Sequence, residues 1–323
     1  MKHTDFNNWL NELNKLSRGQ WNLLQNLLQQ PDSQDQTFKI LEAGEPPACA
    51  LCGGIHPYRW GRQSGLQRYR CPSCGHPYTP LTDTPFARLR YKERWLSYSQ
   101  ALIEGLTVRR AAAKCQISKS TSFRWRHRFL ELPKQTKPKQ LRGIVEADET
   151  FFARSFKGQR GLPRPAHKRG HATHEVGTGA EKVPVLVIRD RQGATTDFKL
   201  KVANTDSIEP LLKSTLASDA ILCSDGAAPY RLSAQHLGLT HHAVNLTAKI
   251  RVISGAYHIQ NVNAYDSRLK EWMGRFHGVA TKYLENYLGW RRFLERWGED
   301  LTPDLTLTVA LARENPFQLL TRT

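Results

Sequence analysis

The sequence predicts a multi-domain α/β protein, and three observations carry that expectation. Two C-x-x-C pairs lie within a short stretch of the first half. Two short amphipathic helical patterns follow, the second strongly basic. From residue 143 the apolar period changes from helical to strand-like, and acidic residues fall where short apolar runs end.

A chain of 323 residues accommodates two or three domains, one of them able to bury a full core. Hydrophobic content of 39% and charged content of 24% are those of a globular protein, which argues against a disordered chain. The longest apolar run, VPVLVI at 183–188, falls far short of the ~20 residues of a membrane span, so no membrane partner is expected. With 47 Lys+Arg against 29 Asp+Glu and a net charge of +18, clustered along the chain, the expected partner is a polyanion, nucleic acid above all. The opening MKHTDFNNWL lacks the apolar core of an export signal, and a reducing cytoplasm is the expected location. In that compartment paired cysteines indicate metal ligation rather than disulfides.

Residues 1–45 form a helical segment of unassigned role. Phe6, Trp9, Leu10, Leu13 and Leu16, then Trp21, Leu24, Leu27 and Leu28, have helical spacing broken near Ser17–Gly19, and 29–37 (QQPDSQDQT) is expected as a polar linker. Residues 46–85 hold Cys49, Cys52, Cys71 and Cys74 in the pattern C-x2-C-x18-C-x2-C. Each pair can turn two thiolates to one ion, and two pairs complete a tetrahedral site. The expectation is a zinc ribbon with one structural Zn2+ and no open coordination position. Gly53 and Gly75 follow the two knuckles, where positive φ is often needed. Cys115 and Cys223 stand singly in apolar contexts and are expected in the core.

Residues 95–132 contain a helix-turn-helix pattern. Val108, Ala111, Ala112 and Cys115 share a face, Gln116–Ser118 make a turn, and Ser118 is the N-cap of a second helix. Ser122, Trp125 and Phe129 are expected to pack inward, leaving Lys119, Ser120, Thr121 and Arg124 nearest to bases and Arg126 and Arg128 on the phosphates. Residues 133–142 (PKQTKPKQLR), with four basic residues, two prolines and no acid, are expected as an extended, DNA-facing linker.

From 143 to 300 strand-like runs occur at 144–152, 183–189, 196–202, 220–224 and 241–245, with helical patterns at 207–217, 229–237, 261–273 and 279–297. The order β-β-β-α-β-α-β-α, plus one helix, matches a ribonuclease H-like catalytic domain. Asp148 in VEADETFF is expected to end the first strand, with Glu146 on its face and Glu149 on the other. Asp225 ends AILCSD ahead of a Gly-Ala-Ala turn. A third metal ligand must come from the segment that opens the next helix, where Gln260, Asn261, Asn263 and Asp266 compete. Asn263, 38 residues after Asp225, lies seven residues before Lys270 and so shares its helix face, which favours Asn263. Two strand-end aspartates and a side-chain oxygen from a late helix can hold two magnesium ions for in-line phosphoryl transfer. The stretch 154–170, with six basic residues and no acid, is expected as a DNA-gripping arm.

On the zinc knuckles, VEADETFF, LCSDGAAPY and YHIQNVNAYDSRLKEWMGRFHGVATKYLENYLGWRRF, the chain resembles the bacterial insertion-sequence transposases that join an N-terminal zinc ribbon to a DDE-type nuclease. The resemblance runs from about Cys49 to Trp297, and its last block is the most specific. In this subgroup the third catalytic position is held by asparagine or glutamate, with a lysine seven residues on. The resemblance therefore implies Asp148, Asp225 and Asn263 as the ligands of Mg2+ or Mn2+, two ions per site, with Lys270 as the following basic residue. It further implies cutting at terminal inverted repeats, joining of the freed 3′-hydroxyl to target DNA, and a homo-oligomer, a dimer or larger on DNA. Two other classes share these features: a catalytically inactive, domesticated DNA-binding regulator and a related ribonuclease H-like nuclease or resolvase.

Overall fold

In the computed structural model the described residues are Asn8, Leu10, Glu12, Leu13, 15–21, 33–162, Gly179, 181–244 and 251–312. Phe6, Trp9, Leu24, Leu27 and Leu28 of the N-terminal pattern lie outside them, as do residues 163–170 of the basic arm. The break near Ser17 is present, and its cause is local. Ser17 Oγ accepts from the Gln20 N–H (3.3 Å) while Gln20 Oε1 accepts from the Ser17 N–H (2.8 Å), a reciprocal cap that starts a new helical turn. The chain divides into two compact units, 1–100 and 101–323.

In the first unit, α1 (Ser33–Leu41) replaces most of the expected polar linker. Its polar composition conceals a buried side: Thr37 and Leu41 are inaccessible, and Phe38 packs so closely on the turn at Gly65 that a Cβ there would meet its ring at 2.8 Å. Packing overrides weak local preference here. Three strands, β1 (Tyr58–Gln63), β2 (Leu66–Arg70) and β3 (Pro77–Tyr78), form an antiparallel sheet in that order.

After α2 (Trp95–Ile103) come α3 (Val108–Lys114), α4 (Lys119–Phe129) and the short α5 (Glu131–Gln135). Ser118 caps α4 by accepting from the Thr121 N–H, and Ser122, Trp125 and Phe129 are buried. Ser122 Oγ donates to the Val108 carbonyl (2.9 Å) and locks the two helices together.

The larger sheet comprises β4 (Ile144–Ala153), β5 (Lys182–Asp190), β6 (Thr195–Lys199), β7 (Ile221–Ser224) and β8 (Thr240–Ala243) in the order β6-β5-β4-β7-β8. β4 pairs antiparallel with β5 and parallel with β7, the mixed pattern of a ribonuclease H-like sheet. α6 (Thr205–Thr215) and α7 (Ala228–Leu237) cover one face over a core that includes Val145, Ala147, Ile188, Leu212 and Leu222. α8 (Gln260–Gly274) packs on β4 and β5 and α9 (Leu284–Trp297) on β6, with α10 (Pro303–Leu311) following.

The linker 133–142 is docked rather than extended. A Cβ on Gly289 of α9 would lie 2.4 Å from the Lys134 Cα, so helix and chain touch backbone to backbone there. Buried Arg292 donates to the carbonyls of Pro133, Lys134 and Thr136 and pairs with Asp197 on β6. Lys137 donates to the Asp197 carbonyl (2.6 Å) over the Phe198 ring, and Leu141 exchanges backbone bonds with Thr215 and Ala217. Lys139 and Arg142 remain exposed.

Candidate active site

The ladder between β4 and β7 ends at Glu146↔Cys223, so the same register, continued two residues along both parallel strands, brings Asp148 beside Asp225. Asp148 is not at the end of β4, which runs on to Ala153 against β5. The end that matters is that of β7, whose termination at Ser224 frees the edge of β4 where Asp148 stands. Gly226, at φ +81°, turns the chain away under Ala243, with only 3.0 Å for a Cβ. Each aspartate has one oxygen fixed by backbone: Asp148 Oδ1 accepts from the Glu149 N–H (2.8 Å) and Asp225 Oδ1 from the Ala227 N–H (2.9 Å).

α8 is seated against this edge by Glu146. Its carboxylate, 0% exposed, accepts from the Val262 N–H in the first turn of α8 (2.9 Å) and pairs with Arg191 (2.9 Å) and His258 (3.3 Å). A carboxylate at a helix N-terminus is favoured by both the free N–H groups and the helix dipole. Glu146 therefore anchors the helix that bears Asn263 and Lys270. Neither Arg191 nor His258 was apparent from the sequence, because both reach Glu146 only through the fold. Asn263 is the residue after Val262, half-buried, at the margin of the buried stripe of α8 and in line with exposed Lys270. Asp266 lies on the same side of the helix and is 6% exposed.

The electrostatics tie these residues into one cluster. Burial, then the Asp225 charge, push the Asp148 carboxyl up to about 6, against the pull of the Glu149 N–H and Lys270. Glu149 rises to about 7, through burial and the charges of Asp148 and Asp225, although Tyr230 beneath it lowers the value. Burial and Asp148 push Asp266 to about 8, with Lys270 opposing. Excess negative charge opposed mainly by one lysine, together with the unpartnered buried Oδ1 of Asp266, fits a site for a divalent cation.

On α4 the expected DNA-facing residues separate. Lys119, Ser120, Arg124 and Arg128 are exposed and Thr121 is half-buried, with the hydroxyls of Ser120 and Thr121 each 2.9 Å from Ser118 Oγ in the cap. Arg126 is a correction: at 2% exposure its guanidinium donates to the Leu106 carbonyl (2.5 Å) over the Phe276 ring, and it cannot also hold a phosphate. The pattern carried a warning, since Arg126 follows Ser122 by four and precedes Phe129 by three, both inward positions.

Cys49, Cys52, Cys71 and Cys74 have sulfurs within 4.8 Å of one another, with Cys49–Cys74 at 3.7 Å and Cys52–Cys71 at 3.5 Å. Tetrahedral Zn–S bonds of about 2.3 Å require sulfurs about 3.8 Å apart, so the quartet could hold such an ion. The Gly53 and Gly75 N–H groups close the knuckles onto Cys49 and Cys71 at φ +73° and +72°. Backbone N–H groups, that of Cys74 foremost, hold the Cys71 thiol down to about 6. Cys74, despite the His76 N–H that lowers it, is pushed up to about 12 by its sulfur neighbours. Among the described residues no other group of three or more His, Cys, Asp or Glu brings its ligand atoms this close.

A mixed five-stranded sheet with two adjoining aspartates beyond the end of a central parallel pairing is the architecture of a ribonuclease H-like domain. More narrowly, residues 140–293 match the family model of the ISXO2-like transposase domain, so this part of the chain is similar to an insertion-sequence DDE transposase domain. No curated protein matches the chain. Solved structures similar to it include the simian T-cell lymphotropic virus intasome in complex with PP2A regulatory subunit B56 gamma, at 10% identity over 60% of this chain and 66% of that chain, TM-score 0.27. They also include a pre-cleavage Mos1 transpososome (16% identity, 68% and 79% coverage, TM-score 0.23) and the mariner Mos1 paired end complex with Mg (15%, 62% and 75%, TM-score 0.22). Similarity this loose places no residue. No helix of the described residues is long and apolar enough to cross a membrane.

Proposed function

We propose that the protein is a DNA transposase that cuts the ends of its insertion sequence and joins the freed 3′-hydroxyl to target DNA at one metal-dependent site. The observation that carries this is the register that sets Asp148 beside Asp225, with Lys270 of α8 within charge reach, inside a transposase domain. Asp148, Asp225 and Asn263 would hold Mg2+ or Mn2+, two ions per site. Bound there, the ions would acidify the attacking water or hydroxyl and offset charge on the scissile phosphate. Asp148 and Asp225 each present one oxygen fixed by backbone and one left to a ligand. Asn263 adds a neutral amide oxygen, which leaves the site less negative than three carboxylates would. Lys270 grips the phosphate beside the reacting bond. Lys119, Ser120, Thr121, Arg124 and Arg128 hold the terminal inverted repeats, and the cysteine quartet holds one structural zinc. Bringing two ends together calls for a dimer or larger assembly on DNA, in a reducing cytoplasm where the cysteine quartet stays available to zinc rather than paired in disulfides.

The test is strand transfer in vitro: full-length protein, a labelled duplex carrying the element end, a supercoiled plasmid and Mg2+. Joined product that disappears with Asp148→Asn and with Asp225→Asn supports the assignment. Cutting without joining would assign the protein to the nucleases, and DNA binding without either would make it a regulator.

A further inference from the structure

Three cavities in the second unit adjoin one another around the bend between α8 and α9. The largest, about 620 Å³, runs between α4 and that bend, with Lys119, Phe123 and His127 on one side and Phe276, Tyr283 and Lys157 among the residues opposite. It shares Gly278 and Val279 with a second cavity of about 440 Å³ that reaches Phe151, Phe152 and Lys270. A third, about 260 Å³, meets the first at Lys157 and Ala280 and the second at Arg154, Ser155 and Thr281. The result is a groove from the N-terminal end of α4 to Lys270. Among the described residues no acidic side chain lines it anywhere.

Its walls alternate cations with rings. Phe123 is 41% exposed on a helix otherwise basic outside, an unusual place for a large apolar side chain. Its ring meets His127 and Tyr283 edge-on, at 4.7 and 5.5 Å, and His127 stacks on Tyr283 at 3.7 Å. Burial, with Arg126 and Lys282 nearby, pushes His127 down to about 4, so its uncharged ring packs on Tyr283 and backs the exposed ring of Phe123. Lys157 is exposed and reaches the Gly278 carbonyl (3.2 Å) at the junction of the cavities. Cations in file suit a phosphate backbone, while exposed ring faces suit bases that have left a stack; a paired duplex offers its bases only edge-on.

We propose that this groove carries one single strand of DNA from α4 to Lys270, so that the helix-turn-helix and the catalytic residues acting on that strand belong to the same chain. The proposal rests on the transposase assignment for its second half only. Binding is measured with the full-length protein by fluorescence anisotropy, using oligothymidylate and a blunt duplex as probes. Phe123→Ala should weaken oligothymidylate binding about tenfold, one lost base–ring stack, and Lys157→Ala should weaken it and flatten its salt dependence. Both should leave the blunt duplex nearly unaffected. Unchanged oligothymidylate binding in Lys157→Ala, an exposed lysine whose loss leaves the core intact, together with Phe123→Ala would overturn the groove. Equal loss on the duplex would overturn the single-strand assignment.

Mixing tests the same-chain claim. Protein carrying both Phe123→Ala and Lys157→Ala is combined with Asp148→Asn protein, at a DNA concentration below the weakened affinity of the groove variant, where neither cuts alone. No cutting by the mixture is expected. Restored cutting would overturn delivery within one chain. Failure of the wild type to cut any DNA would count against the transposase assignment, while the oligothymidylate result would still decide the groove.

Discussion

Replacing Glu146 with Gln tests how α8 is held, because the side chain keeps its volume and loses only its charge. The buried carboxylate accepts from the Val262 N–H at 2.9 Å and pairs with Arg191 at 2.9 Å. Glutamine retains one acceptor, so the Val262 contact can persist, but its amide must share space with the guanidinium. A charge-assisted hydrogen bond contributes about 1.5–3 kcal/mol. Arg191 is 26% exposed, and water can satisfy it in part, which puts the expected loss near the lower end, about 1.5–2 kcal/mol. For a unit of this size that lowers Tm by about 3–8 °C. Val262 precedes Asn263, so the magnesium concentration giving half-maximal thermal stabilisation should rise as well. Glu146→Ala, which strands Arg191 and an N–H, should cost more, about 3–5 kcal/mol. Differential scanning fluorimetry with and without Mg2+ measures both quantities. A Glu146→Gln protein with wild-type Tm and wild-type magnesium midpoint would refute the anchoring role.

Cys74→Ser should release zinc and destabilise the region near 49–80 while the second unit keeps its melting transition; equal zinc content by atomic absorption in variant and wild type would contradict the ribbon. Asp148, Glu149 and Asp266 bind protons more tightly folded than unfolded, at about 6, 7 and 8. Their contribution is thus present at low pH and lost as pH rises through those values. Metal-free protein should lose Tm between about pH 5 and pH 8, and Mg2+ should restore it at the upper end; a Tm that rises over this range without metal would contradict the acid cluster. Gly289→Ala should force α9 off the backbone at Lys134 and cost about 1–3 kcal/mol, read as a shift in urea midpoint; a neutral variant would mean the linker yields without cost.

Periodicity made the order of strands and helices from β4 to α9 legible, because burial on a sheet face repeats every two residues and on a helix about every 3.6. The four cysteines were legible because metal ligation needs their spacing within a few residues. That Asp148 and Asp225 would come together was legible, but the place of Asp148 on its strand was not: the opening at the sheet edge is made by β7 stopping, which no pattern within β4 records. Glu146 looked like one acid of a cluster, since Arg191 and His258 reach it only through tertiary structure. The linker misled for a related reason. Lysines and prolines describe a solvated tether, and nothing within 133–142 announces that Gly289 and Arg292 will receive it.

The central claim is that Asp148, Asp225 and Asn263 form one metal site serving both cutting and joining, and the assignment of Asn263 tests it most sharply. The direct measurement is joining of a pre-cut, labelled element end to plasmid DNA in Mg2+ by Asn263→Ala protein, beside Mn2+ binding followed by loss of the free-ion EPR signal. Lost joining and weakened Mn2+ binding, with terminal-repeat binding kept and some activity recovered in Asn263→Asp, is the predicted result. Full joining activity and undiminished Mn2+ binding in Asn263→Ala would contradict the account and move the third ligand to another residue of α8.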